Sequence, residues 1–138
     1  MLLYGASGSV GTAAVQLAAH SGAVVTGVCS TVNVDLVRSL GASRVIHYLR
    51  DTEGNAGDTY DIMLNAVGKM PRSRRGAVKA SGKFVSVTTT TRERAEDRAY
   101  LRGQLARRAI RPVIDRSFAL EEIREAPATS KPGTREAT

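Results

Sequence analysis

The sequence contains no tryptophan and a single cysteine, Cys29, among its 138 residues. One thiol excludes an internal disulfide and is typical of a reducing compartment. Aromatic residues make up only 4% of the chain, so a core must be built from aliphatic side chains, as in parallel sheets covered on both faces. No apolar run approaches the roughly 18 residues that span a bilayer, and no signal-peptide pattern opens the chain. We therefore expect a cytoplasmic protein that makes no membrane contact.

Acidic residues are also in the minority, with 13 Asp and Glu against 20 Lys and Arg, for a net charge of +7. A solvated basic surface accounts for this excess, and attraction of an anionic cofactor is a second explanation. Nucleic acid is not an expected partner, because the arginines of residues 92–116 are interspersed with carboxylates. Only Tyr100 could stack on a base there. A basic nucleic-acid-binding domain stays as a third functional hypothesis.

Several catalytic and metal-binding patterns are missing. One cysteine and two histidines, His20 and His47, offer no cluster of metal ligands, so no metal is expected. Gly11 is followed by Thr12 and not by the Lys of a P-loop. No tyrosine has a lysine four residues later, which excludes the short-chain dehydrogenase pair. The sequence therefore names no catalytic residue.

Three glycines spaced by three, Gly5, Gly8 and Gly11, separate the apolar run 2–4 from a helical pattern at 12–20. This layout predicts a strand, a phosphate-binding turn and a helix whose N-terminus points at an anion. Gly5 would allow the sharp turn, Gly8 would let a pyrophosphate approach the backbone, and Gly11 would let the helix pack closely against the sheet. The spacing G-x-x-G-x-x-G is not the commoner G-x-G-x-x-G, so a tight turn without a ligand stays as the alternative.

Strand-like and helix-like segments alternate along the chain. We expect strands at 2–4, 24–28, 44–48, 60–66, 83–87 and 110–114, and helices at 10–20, 33–40, 73–80, 92–108 and 117–125. The inner face of the first helix is expected to carry Val10, Ala13, Ala14, Leu17 and Ala18. The alternation predicts an α/β fold, with a doubly wound parallel sheet of the Rossmann type in a single domain over residues 1–126. Residues 127–138 are rich in Pro, Thr, Ser and charge, and are expected to form a disordered tail.

The end of the second predicted strand carries no carboxylate. Val28, Cys29, Ser30 and Thr31 stand where an NAD-preferring site usually has Asp or Glu, and Asp35 falls inside the next helix. Small hydroxyl residues would tolerate a 2′-phosphate, which favours NADP over NAD. In the alternative interpretation, Ser30 and Thr31 only cap the second helix.

Seven segments carry a resemblance to a known family, in order along residues 1–126. They are Tyr4-Gly5-Ala6-Ser7-Gly8-Ser9-Val10-Gly11, Val28-Cys29-Ser30-Thr31, Leu40-Gly41-Ala42, Val45-Ile46-His47-Tyr48, Tyr60-Asp61-Ile62 with Ala66-Val67-Gly68, Gly82-Lys83-Phe84-Val85-Ser86-Val87, and Arg111-Pro112-Val113-Ile114-Asp115 with Phe118-Ala119-Leu120-Glu121. With these segments the chain resembles the cofactor-binding domain of the medium-chain dehydrogenase/reductase family, in its zinc-independent, quinone-oxidoreductase-like branch.

The resemblance implies roles for residues that follow the predicted strands. Ser9 and Val10 would meet the pyrophosphate through backbone N–H groups, Ser30 would face the 2′-phosphate, and Tyr48 would lie beside the adenosine half. The residues that would line the path to the nicotinamide are Ala66, Val67 and Gly68, with Ser86 and Val87 nearer the ring. Asn65 and His47 are departures, because relatives usually or often carry Asp at these positions.

Family members also carry an N-terminal, mostly β catalytic domain, whereas here Met1 is followed at once by the first predicted strand. The resemblance thus implies the cofactor half of an NAD(P)-dependent oxidoreductase that acts on a quinone, an enone or an alcohol. A small-molecule substrate is expected only if a catalytic domain is supplied, and homo-oligomers would follow from an uncovered apolar face. The alternative is a non-catalytic nucleotide-binding module or a truncated gene product.

Overall fold

The fold is organised around a parallel sheet of five strands. A computed structural model describes residues 1–48, 50, 57–68, 70–89 and 93–124. The strands are β1 (Leu2–Tyr4), β2 (Thr26–Cys29), β3 (Arg44–His47), β4 (Tyr60–Asn65) and β5 (Val78–Ser86), in the spatial order β3-β2-β1-β4-β5. All neighbouring strands run parallel. The predicted α/β class with a doubly wound parallel sheet is confirmed.

The helices follow the strands in the order that the sequence predicts. They are α1 (Ser9–His20), α2 (Val34–Ser39), α3 (Arg72–Arg75) and α4 (Ala95–Ala106), and single 3-10 turns occupy Thr31–Asn33 and Leu120–Glu122. After β3 the chain crosses to the other side of β1 to form β4. In sheets of this kind, ligands bind in the crevice outside the carboxyl ends of the two strands at which the order reverses, here β1 and β4.

Aliphatic side chains fill both faces of the sheet. Leu3 packs with Val15 of α1 and Val37 of α2 in one buried cluster. Leu2 and Met63 belong to a second buried cluster. Because neighbouring residues of a strand point to opposite faces, Leu2 and Leu3 place these clusters on opposite sides of the sheet. The core is aliphatic, as predicted.

The buried face of α1 differs from the prediction. Its buried residues are Gly11, Thr12, Val15 and Gln16. Of the predicted inner residues, Val10 is 49% exposed and Ala13 is exposed, Leu17 is half-buried, and Ala14 and Ala18 pack at the margin of the core. The prediction counted apolar residues only, whereas Thr12 and Gln16 are buried with their hydrogen bonds satisfied.

The predicted strand at 110–114 does not form. Gln16 of α1 donates from Nε2 to the Arg111 carbonyl at 3.0 Å, and its Oε1 accepts the Arg111 N–H at 2.9 Å. A side-chain amide thus takes the two backbone groups that a neighbouring strand would bind. Pro112 follows with no N–H to offer. This segment is therefore bound to α1 at Arg111 and adds no strand to the sheet.

The helix predicted at 73–80 is wrong beyond residue 75. Ala77 accepts the Tyr60 N–H at 2.8 Å, and Val78 already pairs with Tyr60 as the first residue of β5. Ala77 and Val78 also pack against the second core cluster, which holds them in an extended course. A register shift then lets Lys83 pair with Ile62. Strand β5 consequently starts five residues earlier than predicted.

The last predicted helix, 117–125, is reduced to the 3-10 turn Leu120–Glu122. Leu120 is 78% exposed and Ile123 is 60% exposed, so no buried apolar face stabilises a longer helix. The boundary at residue 126, the tail 127–138 and Arg92 at the start of the fourth predicted helix lie outside the described residues.

Replacing Gly11 by alanine should destabilise the protein, although alanine is the better helix former. An added Cβ would collide with the Gly5 carbonyl oxygen and lie 2.8 Å from the carbonyl carbon of Ala6. We expect Gly11→Ala to lower the free energy of unfolding by about 3 kcal/mol in urea denaturation. At Gly103 of α4 the same Cβ would meet only the Arg107 side chain at 3.5 Å, so Gly103→Ala should raise it by about 0.5–1 kcal/mol. Equal signs for the two variants would contradict the close approach.

Cys29 should react with thiol reagents only when the chain opens. The residue is 3% exposed, and burial raises the pKa of its thiol. Because the thiolate is the reactive form, we expect reaction with Ellman's reagent at pH 8 to be at least tenfold slower in the native protein than in 6 M urea. A native rate equal to the unfolded rate would show that the end of β2 is not closed.

Candidate functional site

The carboxyl ends of the strands meet at one edge of the sheet, and every predicted site residue lies there. After β1 come Gly5, Gly8, Ser9, Val10 and Gly11, and after β2 comes Ser30. Tyr48 follows β3, and the turn after β4 contains Ala66, Val67 and Gly68. Ser86 is the last residue of β5, and Val87 comes next. Such an edge can place residues from distant parts of the sequence around one ligand.

Backbone hydrogen bonds hold the turn after β1 in place, both within the turn and to β2. Gly5 and Ala6 both donate their N–H to the Val28 carbonyl, at 3.1 and 3.0 Å, and Gly8 donates to the Gly5 carbonyl at 3.2 Å. These amides are therefore engaged within the protein. Gly5 has φ +84°, and a Cβ at this position would collide with the Val67 side chain. The turn after β1 thus packs directly against the turn after β4.

The first turn of α1 presents backbone amides toward this edge. Thr12 N–H bonds to the Gly8 carbonyl at 2.8 Å, so the N–H groups of Ser9, Val10 and Gly11 precede the helical ladder. Gly8 at the N-cap supplies no side-chain cap, and the first turn contains no acidic residue. Ser9 and Val10 are exposed. Such a helix start attracts anions through its dipole and its amides.

Gly8 leaves space above this helix start. A Cβ at Gly8 would have the Gly5 carbonyl oxygen, 3.6 Å away, as its nearest described neighbour. Gly8 has φ −77°, a conformation that other residues also adopt. Within the described part of the chain, neither packing nor backbone conformation requires glycine here. The missing side chain instead keeps the approach to the amides open.

Asn33 connects the glycine turn to the end of β2. Its Nδ2 donates to Ser7 Oγ at 3.2 Å and to Ser30 Oγ at 3.0 Å. Ser30 stands at the N-cap of the 3-10 turn but makes no side-chain capping bond, so the capping interpretation of Ser30 is wrong. Beside it, Thr31 Oγ1 lies 3.3 Å from His47 Nδ1. Ser30, Asn33, Thr31 and His47, at the ends of β2 and β3, thus offer hydroxyl, amide and imidazole groups.

Tyr48 lies at the outer side of this edge. It is half-buried, packs against the second core cluster, and donates its N–H to the Cys29 carbonyl at 3.3 Å. Asp35 lies in α2 and is exposed. The first carboxylate after β2 is therefore inside a helix, as expected.

A buried polar cluster joins the ends of β4 and β5. Asn65 Nδ2 donates to Ser86 Oγ at 3.4 Å, and Asn65 Oδ1 accepts the Val67 N–H at 3.3 Å. Ser86 Oγ also lies 2.8 Å from Thr88 Oγ1. Sequence reasoning noted Asn65 only as a departure from Asp and did not include Thr88. The available signal was a polar residue at the end of a buried strand, with a serine at the end of the next one.

The described residues were compared with two kinds of pattern, a metal-binding cluster and a membrane-spanning helix. Among the described residues, no group of three or more His, Cys, Asp or Glu side chains could hold a metal ion. In the same part of the chain, no helix has the length and apolar character needed to cross a membrane.

Two curated proteins are similar in sequence. The chloroplastic quinone-oxidoreductase QR1 of Triphysaria versicolor is 32% identical over 162 residues, which cover 96% of this chain and 49% of that protein. The chloroplastic NADPH-dependent alkenal/one oxidoreductase of Arabidopsis thaliana is 33% identical over 90 residues, which cover 64% of this chain and 23% of that protein. The chain thus spans about half the length, or less, of these relatives. No family model matches the sequence.

Solved structures agree with the fold. The quinone oxidoreductase from Coxiella burnetii superposes with a TM-score of 0.80 at 24% identity, covering 92% of this chain and 47% of that one. The YhdH protein of E. coli K-12 with bound NADPH has a TM-score of 0.55 at 26% identity, covering 62% of this chain and 28% of that one. Both superpositions include less than half of the larger protein. In sequence and in fold, the chain belongs to the quinone-oxidoreductase-like branch of the medium-chain dehydrogenase/reductase family.

Proposed function

We propose that residues 1–126 form the dinucleotide-binding domain of an NADPH-dependent oxidoreductase. The observation that carries this proposal is the uncapped first turn of α1, whose amides follow an open glycine beside the crevice between β1 and β4. A diphosphate is the anion that suits this geometry, because it spans several amides and needs close approach to the backbone. The net charge of +7 would favour its approach.

The relatives support the choice of cofactor and suggest the substrate class. One relative is named an NADPH-dependent alkenal/one oxidoreductase, and one structural neighbour contains NADPH. Another relative is named a quinone oxidoreductase. We infer a quinone or an unsaturated carbonyl compound as the hydride acceptor, with an alcohol as the alternative.

Each part of the edge would have its own task in holding the cofactor. Ser9 and Val10 would bind the diphosphate through their N–H groups, Ser30 would meet the 2′-phosphate, and Tyr48 would flank the adenosine. The turns 66–68 and 86–87 would line the way to the nicotinamide. When bound, the dinucleotide supplies the hydride, and the protein contributes orientation and exclusion of water.

Substrate must be held against the nicotinamide from the other side of the crevice. Effective hydride transfer needs both reactants fixed in position, which two walls achieve better than one. We propose that turnover requires a second domain of the kind that family members carry.

A non-catalytic nucleotide-binding module is the second candidate. Val10 is 49% exposed, Ile62 41% and Val85 43%, so apolar side chains in α1, β4 and β5 are open to a covering surface. This candidate predicts dinucleotide binding without NADPH oxidation in the presence of a quinone. It also allows homo-oligomers, which sedimentation would detect.

Location and nucleic-acid binding are separate questions. The cytoplasmic location stays a prediction, and both relatives described above are named as chloroplastic. A nucleic-acid-binding domain would show affinity that falls steeply with salt, together with indifference to dinucleotides.

Replacing Gly8 by valine should abolish dinucleotide binding and leave the fold intact. The isopropyl group would occupy the space above the α1 amides, while its Cβ meets no described protein atom closer than 3.6 Å. We expect wild-type protein to bind NADPH at micromolar concentration by nicotinamide fluorescence, and Gly8→Val to bind at least 100-fold more weakly with a similar melting temperature. Gly103→Ala is the control and should bind as wild type. Absence of a thermal shift with millimolar NADPH and NADH in the wild type would refute the proposed function.

A carboxylate at position 30 should change the cofactor preference. Ser30 is half-buried at the end of β2, and no described acidic residue follows that strand before Asp35. We expect Ser30→Glu to weaken NADPH binding about tenfold or more through repulsion of the 2′-phosphate, and to weaken NADH binding less than threefold. Ser39→Glu, on the exposed end of α2, is the control. An unchanged ratio of the two dissociation constants would place the 2′-phosphate elsewhere.

A further inference from the structure

Asn33 stands where an asparagine usually caps a helix, but its side chain is used elsewhere. It directly precedes α2 and makes no side-chain capping bond to that helix. Asparagine is among the residues most favoured at this position, because its side-chain oxygen can accept an N–H of the first turn. Here the side chain instead donates from Nδ2 to Ser7 Oγ and to Ser30 Oγ. A contact with the glycine turn therefore takes the place of a cap.

Both hydrogens of the Asn33 amide are used on hydroxyl oxygens. The nitrogen lies 3.2 Å from Ser7 Oγ and 3.0 Å from Ser30 Oγ. A hydroxyl group that accepts a hydrogen bond keeps its own hydrogen for another partner. Within the described part of the chain, neither hydroxyl has a second hydrogen-bond partner. Ser7 and Ser30 are therefore each left with one O–H donor.

The two serines lie on either side of the place where the ribose of a dinucleotide is recognised. Ser7 is half-buried in the turn between β1 and α1, and Ser30 is half-buried at the end of β2. In doubly wound sheets the diphosphate meets the first of these places and the 2′ position of the ribose meets the second. Because both Oγ atoms are bonded to one nitrogen, they lie no more than about 6 Å apart. A single phosphate group, with three acceptor oxygens, can reach both.

The chemistry of the two free groups distinguishes a phosphate from a hydroxyl group. A ribose 2′-hydroxyl is typically held by a carboxylate acceptor, as in NAD-preferring sites. A phosphate dianion offers acceptors and needs donors. Two neutral O–H donors suit the phosphate, and hydrogen bonds to a charged acceptor are stronger than those between neutral groups.

We propose that Ser7 and Ser30 together bind the 2′-phosphate of NADPH, and that Asn33 is the positioning residue that turns both hydroxyl groups toward it. The amide supplies a hydrogen to each serine oxygen, so each serine hydrogen points away from Asn33 and is available to the ligand. This inference rests on the proposed function. It adds a residue of the glycine turn to the recognition of the phosphate and gives Asn33 a role in cofactor preference.

Ser7→Ala tests the new binding residue. The variant loses one hydrogen bond to a charged group, so we expect its NADPH dissociation constant to rise about tenfold. The NADH dissociation constant should change less than twofold, because NADH has no 2′-phosphate. Both values come from titration by nicotinamide fluorescence at one fixed pH. Adenosine 2′,5′-bisphosphate and adenosine 5′-phosphate, used as competitors, should show the same difference. An unchanged ratio of the two dissociation constants in Ser7→Ala would refute the inference.

A double-mutant cycle tests whether Asn33 acts through the serines. Asn33→Ala leaves both hydroxyl groups free to rotate, and we expect it to weaken NADPH binding about fivefold with less than a twofold change for NADH. In a protein that already carries Ser7→Ala and Ser30→Ala, the same substitution should change the NADPH dissociation constant less than twofold. A full fivefold effect in that background would show that Asn33 does not act through these hydroxyl groups. If Asn33→Ala does not fold, the Ser7→Ala measurement decides.

Gln16→Leu is the control for a general loss of stability. It removes another side-chain amide, which lies two turns along α1 from Gly8 and binds Arg111. We expect a lower melting temperature and a ratio of NADPH to NADH dissociation constants within twofold of the wild type. A shift of that ratio as large as in Asn33→Ala would refute the positioning role, because the effect would then follow from stability.

The wild-type measurements separate this inference from the proposed function. A wild-type protein that binds neither NADPH nor NADH refutes both. A wild-type protein that binds the two dinucleotides equally tightly refutes recognition of the 2′-phosphate and leaves the dinucleotide-binding domain standing.

Discussion

The contact between the first turn of α1 and the backbone of Gly5 and Ala6 is the constraint on which the site depends. Only glycine at position 11 permits it, because any Cβ would occupy the place of the Gly5 carbonyl. The contact fixes where α1 begins, and hence where its first amides point. Since Gly5 and Ala6 give their own N–H groups to Val28, the turn is tied to β2 and cannot rearrange without breaking the sheet edge. The direction of these amides is therefore a product of packing as much as of the glycine spacing.

The predictable part of the structure is the part in which apolar periodicity and glycine act together. The sequence predicted the parallel sheet and the strands at 2–4, 44–47 and 60–65 to within one residue. Each of these strands has an apolar segment and is bounded by turn residues. The predicted site residues lie at one edge for the same reason, since strand ends in a parallel sheet share an edge. Ligand binding by these residues stays a prediction.

The errors lie where contacts between distant parts of the chain override the local pattern of the sequence. Gln16 is polar and was not among the predicted inner residues of α1, yet it is buried and takes the hydrogen bonds of Arg111. That pairing removed the sixth strand. The start of β5 was missed because its pairing with Tyr60 depends on a tertiary contact and a register shift that local propensity does not contain. The hydrogen bond from Asn65 to Ser86 was not predicted because the two residues are 21 positions apart in the sequence.

The pairing of Gln16 with Arg111 joins groups that are 95 residues apart. During synthesis the sheet strands β1 to β5 emerge first, while the Gln16 amide stays without this partner until residue 111 has left the ribosome. Copies that stop before residue 111 would lack both of these hydrogen bonds, and the Gln16 side chain would keep only its bond to the Thr12 carbonyl within α1.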